Sequence, residues 1–163
     1  MAQEEVGCGM ASPPVRQIVT EDARAKRVLV VEDEPDLAAT LDRLLRRMGH
    51  IPLVSLSGRE AIGLIEAEHP DLILTDLRLP AVSGLALLRR ARREFPAIPV
   101  ILFTAYSSPA SKRQALKAGA SGYLAKPFSA ADLRAAIERA LAADGESKQT
   151  GGSSAREGRA NHL

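Results

Sequence analysis

The chain has a single cysteine, no tryptophan and few aromatic residues, which make up 3% of its 163 residues. Because Cys8 is alone, no internal disulfide can form, and the sequence indicates a reducing compartment. The three histidines (His50, His69 and His162) lack the spacing of zinc ligands, and we interpret them as surface or loop residues. These absences exclude a disulfide-stabilised secreted module and a structural zinc site.

Long hydrophobic runs and a strong excess of one charge are also absent. The first ten residues, MAQEEVGCGM, contain acids and no apolar run of signal-peptide length. No stretch approaches the roughly 18 apolar residues that a membrane-spanning helix needs. The net charge is only +2 with 26% charged residues, which gives no electrostatic reason to expect direct nucleic-acid binding. We therefore expect a soluble, cytoplasmic protein without membrane or nucleic-acid contacts.

The chain is long enough for one compact domain with a hydrophobic core. Residues 1–25 mix Gly, Pro, Ser and charges without periodicity, and residues 144–163 are polar and rich in Gly and Ser. Neither end has enough apolar residues to offset the entropy lost on ordering, so we expect both to be disordered. The predicted domain covers residues 26–143.

Short apolar runs alternate with amphipathic stretches along this domain. The alternation predicts an α/β fold, in which a parallel sheet carries helices on both faces. Continuously apolar runs are typical of strands buried on both faces, whereas Pro52 indicates that the second strand lies at an edge. Ser83 and Ser129 are predicted helix N-caps. The predicted strands are Val28–Val31, Leu53–Val54, Leu72–Leu74, Val100–Phe103 and Tyr123–Ala125, and the predicted helices are 35–48, 58–68, 84–94, 109–118 and 130–143.

Polar side chains follow four of the predicted strands. Ligands of parallel α/β sheets bind at the carboxyl ends of the strands, so we expect these side chains to converge there. Three carboxylates held close together repel one another unless a proton or a cation joins them, and an all-oxygen site suits Mg²⁺ rather than zinc. A carboxylate beside Mg²⁺ and a lysine can attack a phosphoryl group. The residues at these strand ends are Glu32, Asp33, Asp76, Thr104 and Lys126.

Each of these residues also has a simpler interpretation when it is taken alone. Asp76 is then a turn cap, and Glu32 and Asp33 cap the helix that begins near residue 35. Thr104 and Lys126 are then an ordinary strand residue and a solvated loop residue, and Tyr123 is a core aromatic. All these interpretations would have to hold together at one sheet edge, so we favour the phosphoryl site.

The chain resembles the receiver domains of two-component response regulators in four stretches: VLVVEDEPDLAATL, PDLILTDLRLPAVSGLALL, PVILFTAY and GYLAKPF. The stretches occur in the order and at the spacings of that family, and the resemblance covers residues 27–143. It implies a flavodoxin-like, doubly wound fold: a five-stranded parallel sheet of order 2-1-3-4-5 with five helices.

The resemblance also implies a role for each strand-end residue. Asp76 matches the phosphoacceptor, and Lys126 matches the lysine that contacts the phosphoryl group. Thr104 matches a switch hydroxyl coupled to the rotamer of Tyr123. The bond between Lys126 and Pro127 matches one that is cis in the family, which an X–Pro bond permits. The implied Mg²⁺ ligands are the side chains of Glu32, Asp33 and Asp76 and the main-chain carbonyl of Arg78.

Two further positions bear on the lifetime of the phosphoryl group. Arg78 and Tyr106 stand where residues of the family influence that lifetime. Because both side chains are bulky, they can shield Asp76 from water, and we predict a modified lifetime.

The function implied is that of a phosphoacceptor, not an enzyme. A histidine kinase or a phosphotransfer protein donates its phosphoryl group to Asp76. With no output domain after residue 143, we expect a single-domain response regulator that acts through phosphorylation-dependent protein binding. The expected partner surface is formed by the fourth helix, the fifth strand and the last helix, on a monomer or a phosphorylation-dependent dimer. Lys112, Arg113 and Lys117 either belong to that surface or only solvate it.

Other functions share some of these sequence features. A phosphorelay intermediate and a phosphate sink are both compatible with the same residues. A Mg²⁺-dependent phosphohydrolase usually needs a second acid two residues after its nucleophile, where this chain has Arg78. A flavin binder of similar fold needs a Gly-rich phosphate loop after the first strand, where Glu-Asp-Glu-Pro would repel a phosphate.

Overall fold

The structure is a computed structural model that describes residues 25–149, and the side chains of residues 25–143. Five parallel strands form one sheet in the order β2-β1-β3-β4-β5, and a helix follows each strand. The predicted flavodoxin-like α/β fold and its strand order are confirmed. The elements are β1 (Arg27–Val31), α1 (Pro35–Arg47), β2 (Ile51–Ser55), α2 (Gly58–Glu68), β3 (Leu72–Asp76), α3 (Gly84–Glu94), β4 (Val100–Thr104), α4 (Pro109–Lys117), β5 (Gly122–Ala125) and α5 (Ala130–Gln149).

Helices cover the sheet on both faces, which explains why its strands are continuously apolar. Side chains alternate along β1, so Val28 and Val30 pack in a cluster with α1 and α5. Leu29 and Val31 point the other way, into a cluster with α2 and α3. The strand β2 pairs in parallel with β1 at the sheet edge, as Pro52 predicted.

The helix ends follow the predicted local signals. The hydroxyl of Ser83 accepts a hydrogen bond from the third amide of α3, and Ser129 does the same for α5, at 3.2 and 3.1 Å. Both predicted N-caps are therefore confirmed. Gly49 and Gly119 follow α1 and α4 with φ of 85° and 96°, the left-handed conformation that ends many helices.

The last helix is longer than predicted. α5 continues to Gln149, so residues 144–149, predicted as part of a disordered tail, are helical. Once a helix has formed, each added residue gains one hydrogen bond, so its end is poorly marked where no proline follows. No helix within residues 25–149, α5 included, is long and apolar enough to cross a membrane. The predictions for Cys8, His162 and the remaining end segments fall outside the described residues.

Candidate functional site

Two carboxylates are buried at the carboxyl ends of adjacent strands. Asp76 is the last residue of β3, and its side chain is 9% exposed. Glu32 directly follows β1, and its side chain is 2% exposed. β1 and β3 pair in parallel, which brings both strand ends to the same edge. Carboxylates are rarely buried without a partner, so the site needs a counter-ion.

Lys126 supplies that counter-ion. Its Nζ lies 2.5 Å from Asp76 Oδ2 and 2.8 Å from Glu32 Oε2, and it stands 4.8 Å from the ring centroid of Phe103. The lysine side chain is 18% exposed, which excludes the alternative of a solvated loop lysine. The peptide bond between Lys126 and Pro127 is cis, as predicted. One ammonium thus joins two carboxylates from different strands.

Burial and hydrogen bonding act in opposite directions on these groups. Burial raises the pKa of the Glu32 carboxyl above its ordinary value, against the hydrogen bond from Lys126. Burial alone would lower the pKa of Lys126, but its hydrogen bonds to Asp76 and Glu32 outweigh burial and raise it. Lys126 is therefore charged at neutral pH, and the charged form of Glu32 depends on it.

The second carboxylate oxygen of Asp76 has a different partner. The main-chain amide of Arg78 donates to Asp76 Oδ1 at 2.7 Å, which closes a turn after β3. The turn-cap interpretation of Asp76 is thus true of one oxygen, while Lys126 holds the other. The two hydrogen bonds fix the orientation of the carboxylate.

Asp33 does not join this cluster. It is exposed, and no hydrogen bond or ion pair within the described part of the chain links its side chain to Glu32, Asp76 or Lys126. Residues 25–143 contain no group of three His, Cys, Asp or Glu side chains arranged to hold a metal. Asp33 therefore makes no direct bond to the other two carboxylates or to Lys126 in the described part of the chain, and its place among the Mg²⁺ ligands stays a prediction. The Glu32 amide donates to the Ser55 carbonyl at 3.1 Å, which continues the pairing of β1 with β2 up to the residue before Asp33.

The alternative interpretation, that Glu32 and Asp33 cap α1, holds only in part. The N-cap residue of α1 is Glu34, which makes no side-chain capping bond. Glu32 Oε1 accepts a hydrogen bond from the Glu34 amide at 3.1 Å. Glu32 thus orders the start of this loop with one oxygen and binds Lys126 with the other.

The donors at this edge nevertheless suit a hard divalent cation. All are oxygens: the carboxylates of Glu32, Asp33 and Asp76, and the main-chain carbonyl of Arg78. One ammonium, that of Lys126, offsets only part of the charge of three carboxylates. Oxygen donors with uncompensated negative charge are those that Mg²⁺ prefers.

Thr104 ends β4 beside Asp76 and is buried. Its Oγ1 accepts a hydrogen bond from the Tyr106 amide at 3.1 Å, and its hydroxyl hydrogen is left to donate elsewhere. A threonine that faces a phosphoryl group can therefore keep this contact while it donates to the phosphoryl oxygen.

Tyr123 is half-buried on β5, and its hydroxyl lies 2.8 Å from Ser111 Oγ on α4. Ser111 also forms a capping box with Ser108 at the start of α4. Sequence reasoning missed Ser111 because the usual signature of that box has Glu or Gln at this position. The contact ties β5 to the first turn of α4.

Arg78 and Tyr106 contact each other. The Arg78 guanidinium carbon lies 4.3 Å from the centroid of the Tyr106 ring, and the tyrosine is 66% exposed. The stacked pair joins the turn after β3 to the loop after β4, which are the two segments beside Asp76.

Gly84 is a further residue that the sequence did not single out. A Cβ at this first position of α3 would overlap the main-chain carbonyl oxygen of Asp76 and lie 2.9 Å from its carbonyl carbon. The Gly84 amide donates to the Leu77 carbonyl oxygen at 3.1 Å. Glycine at the start of a helix is a weak signal on its own, because the close approach comes from the fold.

A comparison with protein families matches residues 28–138 to the response regulator receiver domain. The transcriptional regulatory protein ZraR of Escherichia coli K12 is 40% identical over 115 residues, which are 71% of this chain and 26% of that protein. The DNA-binding transcriptional regulator NtrC of Proteus hauseri is 34% identical over 122 residues, covering 75% of this chain and 26% of that protein. The chain thus spans about a quarter of the length of the curated relatives it matches.

Solved structures give the same result. A CheY-like response regulator receiver domain from Methanospirillum hungatei superposes with a TM-score of 0.71 at 29% identity. The match covers 76% of this chain and 99% of that one. The fold described above therefore matches nearly the whole length of that receiver domain.

Proposed function

Because the chain belongs to the response regulator receiver domain family, we propose that Asp76 is its phosphoacceptor and that the domain switches on phosphorylation. The observation that carries this proposal is the shared contact of Lys126 with Asp76 and Glu32. An Asp76 carboxylate oxygen attacks the phosphorus of a phosphohistidine on the donor protein. The P–N bond breaks, the donor nitrogen leaves with the electron pair, and an acyl phosphate forms. Lys126 offsets charge on the phosphoryl oxygens.

The cation that we propose for this reaction is Mg²⁺. The residues that would hold it are Glu32, Asp33 and Asp76 through their carboxylates and Arg78 through its carbonyl. When bound, the ion supplies positive charge beside the phosphoryl oxygens. Glu32 retains a second task, since it holds Lys126 in place through Oε2.

The readout that we propose runs from Thr104 to α4. The Thr104 hydroxyl donates to a phosphoryl oxygen on Asp76, and Tyr123 changes rotamer. That movement breaks the contact with Ser111 and so alters the first turn of α4. Phosphorylation then shifts the population between two states of the α4–β5–α5 surface, where a downstream protein binds.

The remaining expectations concern partners and chain organisation. The donor is a histidine kinase or a phosphotransfer protein, and a role as relay intermediate or phosphate sink uses the same site. The expectation of a single-domain protein without direct nucleic-acid contact stays a prediction, since the named transcriptional regulators are about four times as long as the matched segment. Phosphotransfer profiling against the histidine kinases of the source organism identifies the donor.

The proposed function is tested by incubation with acetyl phosphate and Mg²⁺. We expect the mass of the intact protein to rise by one phosphoryl group that is stable in acid and labile in base. Asp76→Asn, which keeps the shape but lacks the nucleophilic carboxylate, should gain none. Labelling of this variant to the wild-type extent would refute the assignment. Repeated turnover of a phosphomonoester would instead favour a phosphohydrolase.

The stacked pair of Arg78 and Tyr106 predicts a longer life for the phosphorylated state. Arg78→Ala or Tyr106→Ala should speed loss of the phosphoryl group about two- to fivefold, the equivalent of one exposed cation–π contact. Decay is followed by intact mass after removal of the donor. Because the two side chains act together, the double variant should decay scarcely faster than either single one. Arg59→Ala, an exposed change on α2, is the control. Additive effects, or slower decay, would contradict a joint cover over Asp76.

A further inference from the structure

The positive charge of the chain is concentrated on α3 and α4. Residues 84–118 contain seven basic side chains and one acidic side chain, whereas the whole chain has a net charge of only +2. Clustered like charges repel one another, so carboxylates or other acceptors nearby would stabilise them.

Three of these basic residues have partners within their own helix or the loop that follows. Arg90 and Arg93 bind Glu94 at 2.8 and 2.9 Å. Arg92 donates to the carbonyl of Ile98, and its alkyl stem lies against Gly119, where a Cβ would come within 2.9 Å of it. The charges of these three residues therefore have partners within the described part of the chain.

Three others line a cleft between α3 and α4 instead. Arg89 comes from α3, and Arg113 and Lys117 come from successive turns of α4. All three are exposed, and none forms an ion pair with a carboxylate of the described residues. The cleft has a volume of about 460 Å³, and its other lining residues are Ala110, Gln114 and Ala118. Small side chains therefore leave space between three uncompensated cations.

We propose that this cleft binds an acidic segment of a protein partner. Arginine side chains recognise carboxylates through paired N–H donors, and the alanines leave room for side chains to enter. No aromatic side chain lines the cleft, although single-stranded nucleic acids are usually bound by aromatic stacking. Duplex DNA is read by elements that protrude into its grooves, whereas this surface recedes. An acidic peptide satisfies both the charge and the shape.

The cleft uses the α3 side of α4, whereas the surface proposed for phosphorylation-dependent output joins α4 to β5 and α5. Arg113 and Lys117, for which the sequence left open a place on the α4–β5–α5 surface or a solvating role, lie together with Arg89 on the side of α4 that faces α3. The domain therefore offers a second surface for a protein partner. Loss of binding at this cleft should leave acetyl phosphate labelling of Asp76 unchanged, which separates its failure from failure of the proposed function.

The test measures fluorescence anisotropy of a labelled peptide of alternating Glu and Ala at low ionic strength. The triple variant R89E/R113E/K117E should bind about tenfold more weakly, because three exposed ion pairs become repulsive. The matched control R47E/R59E/R134E changes the net charge equally at exposed sites on α1, α2 and α5, and should bind almost as wild type does. The neutral variant R89Q/R113Q/K117Q gives an independent measurement with less effect on folding.

Several results would overturn the proposal. Absence of binding to the wild-type protein would do so, as would equal weakening in the triple variant and its control. A peptide of Gln and Ala that binds equally well would exclude charge recognition. Tighter binding of mixed-sequence duplex DNA, or of phosphatidylglycerol vesicles, would assign the cleft to nucleic acid or to a lipid surface.

Discussion

Replacing Lys126 by methionine should slow the labelling of Asp76 by acetyl phosphate about a hundredfold or more, the usual cost of removing one group that stabilises transition-state charge. The ammonium already contacts Asp76 at 2.5 Å, so it needs no movement to reach an oxygen of a phosphoryl group on that residue. Methionine keeps most of the volume of the side chain and removes its charge. The initial rate of labelling, followed by intact mass at fixed Mg²⁺, gives the comparison.

The same variant should lose about 3 kcal/mol of stability at neutral pH, because two buried carboxylates lose their common partner. Burial already raises the pKa of Glu32, and loss of Lys126 raises it further. A group whose pKa is higher in the folded state than in the unfolded state lowers the free energy of unfolding as the pH rises through its folded-state pKa. The deficit of the variant should therefore be small in acid and grow towards neutral pH.

Urea unfolding at several pH values tests this dependence, with Lys112→Met on α4 as the matched control. Lys112 is exposed and forms no ion pair within the described residues, so its loss should have little effect. Added Mg²⁺ should restore part of the stability of Lys126→Met, since it returns positive charge to the carboxylates. A deficit that is independent of both pH and Mg²⁺ would mean that methionine disturbs packing and not charge.

Much of the fold could be predicted because the signals are local. The apolar run Val28–Val31 is buried on both sides, and the hydroxyls of Ser83 and Ser129 cap the helices that they precede. The end of α5 was predicted less well. Its final turns have neither a proline nor an apolar face that separates helix from tail, so composition alone placed the boundary too early.

The candidate site was predictable to the extent that strand ends define it. Glu32, Asp76 and Lys126 meet because parallel strands carry their carboxyl ends to one edge. The sequence does not reveal how each side chain turns once it is there. Asp33, one residue past Glu32, is exposed and forms no hydrogen bond or ion pair with Asp76 or Lys126 within the described residues.

Contacts between distant segments were beyond sequence reasoning. The bond between Ser111 and Tyr123 joins a helix to a strand across 12 residues, and Arg89 meets Arg113 and Lys117 only after α3 and α4 have packed on the sheet. Residues that meet across different elements have no characteristic sequence spacing, so a sequence pattern cannot predict their contact. The contact is known only once the distances between the elements are known.

The close approach of Gly84 to Asp76 is the clearest contact that the sequence does not reveal. Gly84→Ala should destabilise the domain by about 2 kcal/mol or more, because the added methyl group overpacks against neighbours that cannot move. The added Cβ would overlap the carbonyl oxygen of Asp76 and lie 3.0 Å from Leu77 Cα. Both neighbours are main chain, so no side chain can rotate to relieve the overlap. Either α3 moves outwards or the end of β3 shifts.

A shift of β3 also changes the site, because the Asp76 carboxylate is held by bonds only 2.5 and 2.7 Å long. Gly84→Ala should therefore be labelled more slowly by acetyl phosphate even under conditions where it is fully folded. Gly63→Ala is the matched control: this glycine lies within α2, and a Cβ there meets nothing within 4 Å. Alanine at that position should stabilise the domain by about 0.5–1 kcal/mol, the ordinary helix preference over glycine. Equal urea midpoints for the two variants would show that α3 adjusts freely, and that the approach of Gly84 to Asp76 does not position the acceptor.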